Sequence, residues 1–476
     1  MRRHARLASA VLALLCAFTI VAGLTVARLL PRRLALWQQP TIAARQLTGS
    51  AQVLGPATGA ARGSTAVTSA GLASAVAPVL GSTVFGRQLG VLVTNLRTGA
   101  VLYSRNAGTG YTPASTNKLA TAAAALQVLG PAARFRTRVV AGAGPSSIVL
   151  VGGGDPTLAA GTPPASDYPQ PATLRQLARL TAARLLALGR HAVRLGYDTS
   201  LYTGPALGPG WSPSYVTSGN VTVITSLEVD QGRLTAGGKP EDADVGDSRA
   251  RSADPAGQAA ASFAAFLGAD GISVKAAPRL VTAPPSATTL ATVQSPPLAQ
   301  IVQQMLEESN NVIAENLARQ VAIARHQQAS FSGASAAVTN VLHRMGVTGR
   351  IQLSDDSGLS PEDKLAPSVL VQLISLAATR SQLQSMLTGL PVDGFSGTLV
   401  PGSSVFGPGG RAGLGMVRAK TGNLNTVAAL AGVAYARNGQ LLAFAVMADR
   451  VQAAQLTQAA TAMVSFASVL AGCGCR

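Results

Sequence analysis

Two pairs of strand-like segments stand at opposite ends of this 476-residue chain, and they limit the folds open to it more than any other feature. Residues 90–95 and 100–104 are apolar-rich and are joined by Arg97-Thr98-Gly99, a hairpin signal. Residues 426–437 and 440–448 alternate around the Arg437-Asn438-Gly439 turn, and an amphipathic helix over 451–470 follows them. Helical patterns lie between the two pairs. One covers 116–129 and stops at Gly130-Pro131, a long helical region runs from about 298 through His326, and another helix covers 334–345. Strands at both ends with helices between them predict an α+β domain whose sheet is closed by the two ends of the chain.

The middle of the chain has a different texture. Short strand-like pieces (139–140, 147–151, 192–195, 221–229, 272–274) alternate with helices over 173–188 and 256–267, and 235–254 is polar and loop-like. We read 136–287 as an α/β insertion that folds on its own, and a chain of this length has room for two or three domains. The expected division is a signal peptide or membrane anchor over 1–32 and an Ala/Thr/Gly-rich tether over 33–82, entering a helix near 70–80. The first part of the main domain is 83–135, the insertion 136–287, and the second part 288–476.

The N-terminus supplies an address. Arg2, Arg3 and Arg6 precede an apolar run over 7–24, and Arg28, Arg32 and Arg33 follow it. This is an export signal, and the run is about as long as a bilayer-spanning helix, which favours an uncleaved anchor over a cleaved signal. The body is therefore expected outside the cytoplasm. The net charge of +18 raises the question of nucleic acid, but the basic residues are scattered and form no known nucleic-acid motif. An anionic cell envelope is the better partner for such a field. Of the three cysteines, Cys16 lies in the apolar run, while Cys473 and Cys475 read as part of a frayed tail, with a small-ring bridge between them as the alternative. None has zinc-ligand spacing or the setting of a buried nucleophile.

No GxSxG elbow and no HExxH is present, and His4, His191, His326 and His343 have no supporting motif. A hydrolytic serine here needs a base other than histidine. Ser115-Thr116-Asn117-Lys118 supplies one, since a spacing of three on a helix puts Ser115 and Lys118 on one face. A lysine that is partly desolvated and near another cation can lose its proton near neutrality and accept one from serine. Ser309-Asn310-Asn311 precedes a helical segment. Its serine can relay a proton, and the Asn311 amide can both donate to and accept from a peptide backbone. Lys420-Thr421-Gly422, followed by Asn423, fits an edge strand where lysine and threonine hold a terminal carboxylate and glycine lets a ligand backbone approach. Each motif alone also fits a bland role, a helix N-cap or a basic residue on a strand. Together, in this order, they point to a serine acyl transferase.

With those residues in view, the chain resembles the D-alanyl-D-alanine carboxypeptidase/endopeptidase family of class C penicillin-binding proteins (penicillin-binding protein 4 type, peptidase family S13). SxxK, a Ser-Asp-Asn triplet and KTG are the signature set of penicillin-binding proteins and class A β-lactamases. The resemblance extends to TPASTNK (112–118), GGGDPTL (152–158), MLEESNNVIAE (305–315), DDSGLS (355–360), GTL (397–399) and AKTG (419–422). It implies a penicillin-binding/β-lactamase-like transpeptidase domain, an antiparallel sheet flanked by helices, with the inserted region lying between SxxK and SxN. Ser115 would be the acylated nucleophile, Lys118 its base and Ser309 the proton relay. Asn311, Lys420, Thr421, Gly422 and Asn423 would bind substrate, with the backbone N–H groups of Ser115 and Asn423 as oxyanion hole. The implied substrates are peptidoglycan stem peptides, the inhibitors β-lactam antibiotics, and neither a metal nor an organic cofactor is required. Asp356 departs from the glycine of many relatives and leaves the conformation of its loop open. The rival readings are a β-lactamase and a catalytically idle wall-binding protein of the same fold.

Overall fold

Along residues 427–435 successive side chains fall into two different cores, as a strand covered on both faces requires. In the computed structural model, which describes residues 66–234, 249–402, 406–407 and 410–475, Ala428, Leu430 and Ala434 pack on one side of the strand. Ala429, Ala431 and Val433 pack on the other. The strands in chain order are β1 (Gln88–Asn95), β2 (Val101–Arg105), β3 (Arg136–Ala141), β4 (Ser147–Val151), β5 (Ala192–Asp198), β6 (Ser273–Val274) and β7 (Arg279–Leu280). They continue as β8 (Thr289–Gln294), β9 (Ile351–Gln352), β10 (Lys364–Leu365), β11 (Val417–Leu424), β12 (Val427–Tyr435) and β13 (Leu441–Asp449).

The main sheet runs β11-β12-β13-β1-β2, with every neighbour antiparallel. β1 lies along β13 from Gln88↔Asp449 to Asn95↔Leu442, so the two ends of the chain close the sheet. The first hairpin turns where expected. Asn95 Oδ1 accepts the N–H groups of Arg97 (3.0 Å) and Thr98 (3.1 Å), and Gly99 takes φ 73°. The helices Ser69–Leu80 and Leu456–Gly472 cover one face. The helices Lys118–Leu129, Leu298–Glu307, Asn311–Ala324, Phe331–Arg344 and Pro367–Thr379 build the core on the other. Lys118–Leu129 runs through the middle of that core, and its alanines 122–125 are fully buried. Small side chains let neighbouring helices approach closely on several sides.

The inserted region forms a second sheet, ordered β6-β5-β4-β3-β8 with β7 beside β5. The pairs β4–β5, β5–β6 and β5–β7 are parallel. The helices Leu174–Ala187 and Pro255–Ala269 pack on it around Leu177, Leu185, Phe263 and Leu267. β3 and β8 pair from Arg136↔Gln294, which brings the entry and exit of the insertion together.

Several expectations need correction. The second sheet ends at Gln294 rather than Ala287, because β8 is needed to pair with β3. Residues 221–229 form no strand but a largely buried loop. The helical region expected from 298 to His326 is broken at Ser309, whose φ is 59°. The helix expected near 70–80 at the end of the tether is present and packed, with Leu72, Val76 and Leu80 buried. The C-terminal tail is not frayed. Cys473 is buried and paired in a disulfide with Cys475, whose carbonyl accepts the N–H of Thr68 (3.2 Å). The leader over 1–32 lies outside the described residues, among which no helix is long and apolar enough to cross a membrane.

β11 is held to β12 by a close approach at Gly432. A Cβ placed there would stand 2.0 Å from the Arg418 carbonyl oxygen and 2.6 Å from Ala419 Cα. Both are backbone atoms that cannot swing away, so Gly432→Ala is expected to destabilise the fold by about 1–3 kcal/mol. Urea unfolding would check this, and an unchanged midpoint would show that β11 can shift freely.

Candidate active site

The Ser115 turn is a 3-10 segment, Ala114–Asn117, that runs directly into the helix Lys118–Leu129. Ala114 has φ 45°, and Thr116 Oγ1 donates to the Pro113 carbonyl (2.6 Å), which fixes the bend. Lys118, one turn after Ser115, is fully buried. Its Nζ donates to Ser115 Oγ (2.9 Å), Asn311 Oδ1 (2.6 Å) and the Ser357 carbonyl (2.7 Å). An ammonium has three hydrogens, and all three are placed. Burial lowers the Lys118 pKa to about 7, although Asp355 and Glu315 pull it the other way.

Ser309 sits in the break between the helices Leu298–Glu307 and Asn311–Ala324. The middle residue of the triplet explains the break. Asn310 Oδ1 caps the second helix by accepting from Ile313 N (3.1 Å), and its Nδ2 donates to Gln231 Oε1 (2.7 Å). Aspartate serves the same cap, whereas only asparagine can also donate to Gln231. Lys420 on β11 is buried, and its Nζ donates to Ser309 Oγ (2.9 Å) and to the Thr421 carbonyl (2.9 Å). Burial, with Lys118 nearby, pushes the Lys420 ammonium well below its ordinary range. Thr421 Oγ1 lies 2.7 Å from Thr398 Oγ1. A Cβ on Gly422 would fall 2.7 Å from the Pro113 carbonyl oxygen and 3.2 Å from Ser115 N, so glycine is what lets β11 lie against the nucleophile turn.

A cavity of about 430 Å³ joins these groups, and Ser115, Ser309, Asn311, Thr421 and Asn423 line it. The structure thus gathers all three motifs at one opening. Hydrogen bonds form two groups there, Ser115–Lys118–Asn311 and Ser309–Lys420–Thr421. His191, His326 and His343 are exposed and do not line it.

Two contributions escaped the sequence reading. The insertion, expected to lie outside the site, provides part of its wall through Tyr215, Ser218, Asn220, Arg233 and Arg251. Asn220 also accepts Asn311 Nδ2 on its carbonyl (2.8 Å). The second contribution is the DDSGLS loop. Asp355 accepts from the N–H groups of Gly358 (2.7 Å) and Ser360 (2.7 Å) and from Trp211 Nε1 (2.7 Å), which curls the loop so that the Ser357 carbonyl meets Lys118. Positive φ in this loop falls on Gly358 (84°), while Asp356 is buried and accepts from Ser335 Oγ (3.2 Å). The cluster of Asp355, Asp356, Ser357 and Ser360 in one short loop was the available signal.

A serine at the cavity wall bonded to a buried lysine, between an antiparallel sheet and a helical core, defines the penicillin-binding/β-lactamase-like class of fold. A structure of penicillin-binding protein 4 from Haemophilus influenzae superposes on 84% of this chain and 99% of its own with a TM-score of 0.66, at 21% identity. The family model for the D-Ala-D-Ala carboxypeptidase 3 (S13) family matches residues 72–237 and 233–470. A carboxypeptidase DacB of Mycolicibacterium smegmatis is 37% identical over 415 residues, covering 85% of each chain, and a carboxypeptidase of Mycobacterium tuberculosis is 36% identical over 419, again covering 85% of each. The chain belongs to the D-Ala-D-Ala carboxypeptidase S13 family.

The geometry sets a pH dependence. Lys118 can take the Ser115 proton only as a free amine, and it reaches that form as pH rises through about 7. The acylation rate of Ser115 by a β-lactam is expected to climb through that region. A stopped-flow profile that stays flat across it would remove Lys118 as the base.

Proposed function

We propose that this protein is a serine-type D-Ala-D-Ala carboxypeptidase that cleaves peptidoglycan stem peptides through an acyl-enzyme on Ser115. One observation carries the reading: the Lys118 ammonium, buried and close to neutrality, is bonded to Ser115 Oγ at 2.9 Å. Lys118 takes the hydroxyl proton as Oγ attacks the carbonyl of the penultimate D-alanine. The backbone N–H groups of Ser115 and Asn423 stabilise the developing oxyanion, and Gly422 makes their approach possible. Ser309, bonded to Lys420, passes a proton to the leaving amine of the terminal D-alanine, and water then hydrolyses the ester.

Lys420 and Thr421 take the substrate's terminal carboxylate in this reading. Among the described residues no carboxylate is bonded to the Lys420 ammonium, and burial works against its charge. The incoming carboxylate supplies the missing counter-charge, so recognition of a free C-terminus and recharging of Lys420 are one event. Asn311 is oriented by Lys118 at its Oδ1 and by the Asn220 carbonyl at its Nδ2, and holds the peptide backbone beside Ser115. The chain works outside the cytoplasm, tethered or exported by its N-terminal segment, and its positive charge suits an anionic envelope.

β-Lactams acylate the same serine. Glu308, a carboxyl group lining the cavity, accepts from Gln304 Nε2 (3.0 Å) and Asn310 Nδ2 (3.3 Å), and no hydrogen bond among the described residues joins it to Ser115, Lys118 or Ser309. A penicillin pulse is therefore expected to leave a penicilloyl adduct on Ser115 that lasts minutes or longer, visible by intact-protein mass spectrometry. Ser115→Ala should lose both the adduct and peptidase activity while keeping its circular dichroism spectrum. Rapid turnover of penicillin without a trapped adduct would favour a β-lactamase, and no reaction with either substrate would favour an idle wall-binding protein.

For Lys420→Ala the expected loss in kcat/KM on a free-carboxylate D-Ala-D-Ala peptide is about ten- to a hundred-fold, the value of one charge-assisted hydrogen bond. Amidating the peptide's C-terminus should cost the parent enzyme far more than it costs the variant. Equal sensitivity of the two proteins to amidation would refute the carboxylate assignment.

A further inference from the structure

Asn311, Glu315 and Arg319 succeed one another at intervals of four along one helix, and so lie on one face of it. Asn311 reaches Lys118 directly. Glu315, fully buried, accepts on Oε1 from the N–H groups of Asp356 (3.0 Å) and Ser357 (2.9 Å). Its Oε2 takes Arg319 Nη1 at 3.1 Å, and that guanidinium, also buried, stacks 4.1 Å from the Phe331 ring centre. Neither Glu315 nor Arg319 lines the active-site cavity, and the acylation chemistry given above uses neither. A buried carboxylate held by two consecutive loop amides, the second of them from the residue whose carbonyl meets Lys118, nevertheless calls for a role, because burying charge is costly unless it is matched.

We propose that Glu315 is a positioning residue for Lys118: its carboxylate grips the Asp356–Ser357 amides so that the Ser357 carbonyl takes one Nζ hydrogen, and its negative charge faces the ammonium across that loop. The inference rests on the reading of Ser115 and Lys118 as nucleophile and base. Burial favours loss of the Lys118 proton, and Asp355 and Glu315 are the acidic groups that oppose it. Around Glu315 itself stand Arg319, Asp355 and Asp356. Asp356 is held well above the ordinary carboxyl range by burial and then by Glu315 and Asp355, and Asp363, beside Asp355, is raised in the same way by burial. Glu315 itself is raised to about 7 by burial and by Asp355, against the pull of Arg319, so its charge develops over the same range in which Lys118 titrates, and one isosteric change removes it.

The sign of the effect follows. Removing a negative charge that faces Lys118 lets the ammonium deprotonate at lower pH, so the rising limb of acylation must move towards acid. Asp356 is kept neutral in part by Glu315 and would ionise in its place, so Glu315→Gln is to be made together with Asp356→Asn. A second variant adds Arg319→Met to Glu315→Gln and Asp356→Asn, which removes the ion pair as a unit and leaves no unpaired guanidinium in the core. The measurement is the pH profile of penicillin acylation at Ser115, read by mass spectrometry for the parent and both variants. The expected result is a limb displaced to lower pH by about one unit in the first variant and in the same direction in the second. A limb that stays in place while the amplitude falls would overturn the proposal, because it would make Glu315 a purely structural residue. Failure of both variants to fold would overturn it for the same reason. A parent protein that is not acylated at Ser115 would instead sink the reading of the site on which the proposal rests.

Discussion

The arrangement of this protein turns on a cation placed where water cannot reach it. Lys118 begins a helix that passes through the centre of the larger core, and its Nζ finds three acceptors from three separate parts of the chain. One comes from the adjacent turn, one from the helix Asn311–Ala324 and one from the loop at Ser357. A buried ammonium that lost any of these would leave an unmatched donor, at about 1–3 kcal/mol for each unmade bond. The demand to satisfy Nζ therefore fixes the relative positions of elements far apart in sequence. The same demand gives the site its chemistry, since an amine that needs three acceptors to remain charged is close to giving up its proton.

Much of this was legible in the sequence, and the parts that were not share a physical cause. Ser115, Lys118, Ser309, Asn311, Lys420 and Thr421 could be named because each belongs to a short motif with fixed spacing. The sheet could be foreseen because both end hairpins alternate and carry turn residues. Glu315 and Asp355 could not be assigned roles, because they act on a loop and a helix brought together only by tertiary packing. Residues 221–229 are apolar enough to look like a strand, yet their burial comes from lying beneath other elements and not from pairing. Ser309 interrupts a continuous helical pattern because Asn310 caps the following helix, a local hydrogen bond that hydrophobic periodicity does not register.

The inserted region is joined to the rest through paired strands and also touches the site. β3 and β8 bring its two connections side by side, and Trp211 donates its indole N–H to Asp355, in the loop that meets Lys118. Phe331 packs edge-on against the Trp211 ring at 5.2 Å. A residue of the insertion therefore shapes the surroundings of the base without touching a substrate. Changes in that region would reach the chemistry through Asp355 and Ser357, along a path of two hydrogen bonds.

The pairing of β1 with β13 carries a consequence for how such a chain comes into being. Gln88 is made long before its partner Asp449, so the central sheet has no way to close until β13 has emerged. The second sheet, whose strands all fall between Arg136 and Gln294, has no such wait. Domains generally fold as units in the order of their synthesis, and pairings of long sequence separation are the slow ones. The insertion is then the first part to become solid, and the catalytic sheet assembles around it only when the final hairpin arrives. Until that moment Lys118 has no buried place to occupy, and the nucleophile stays unarmed.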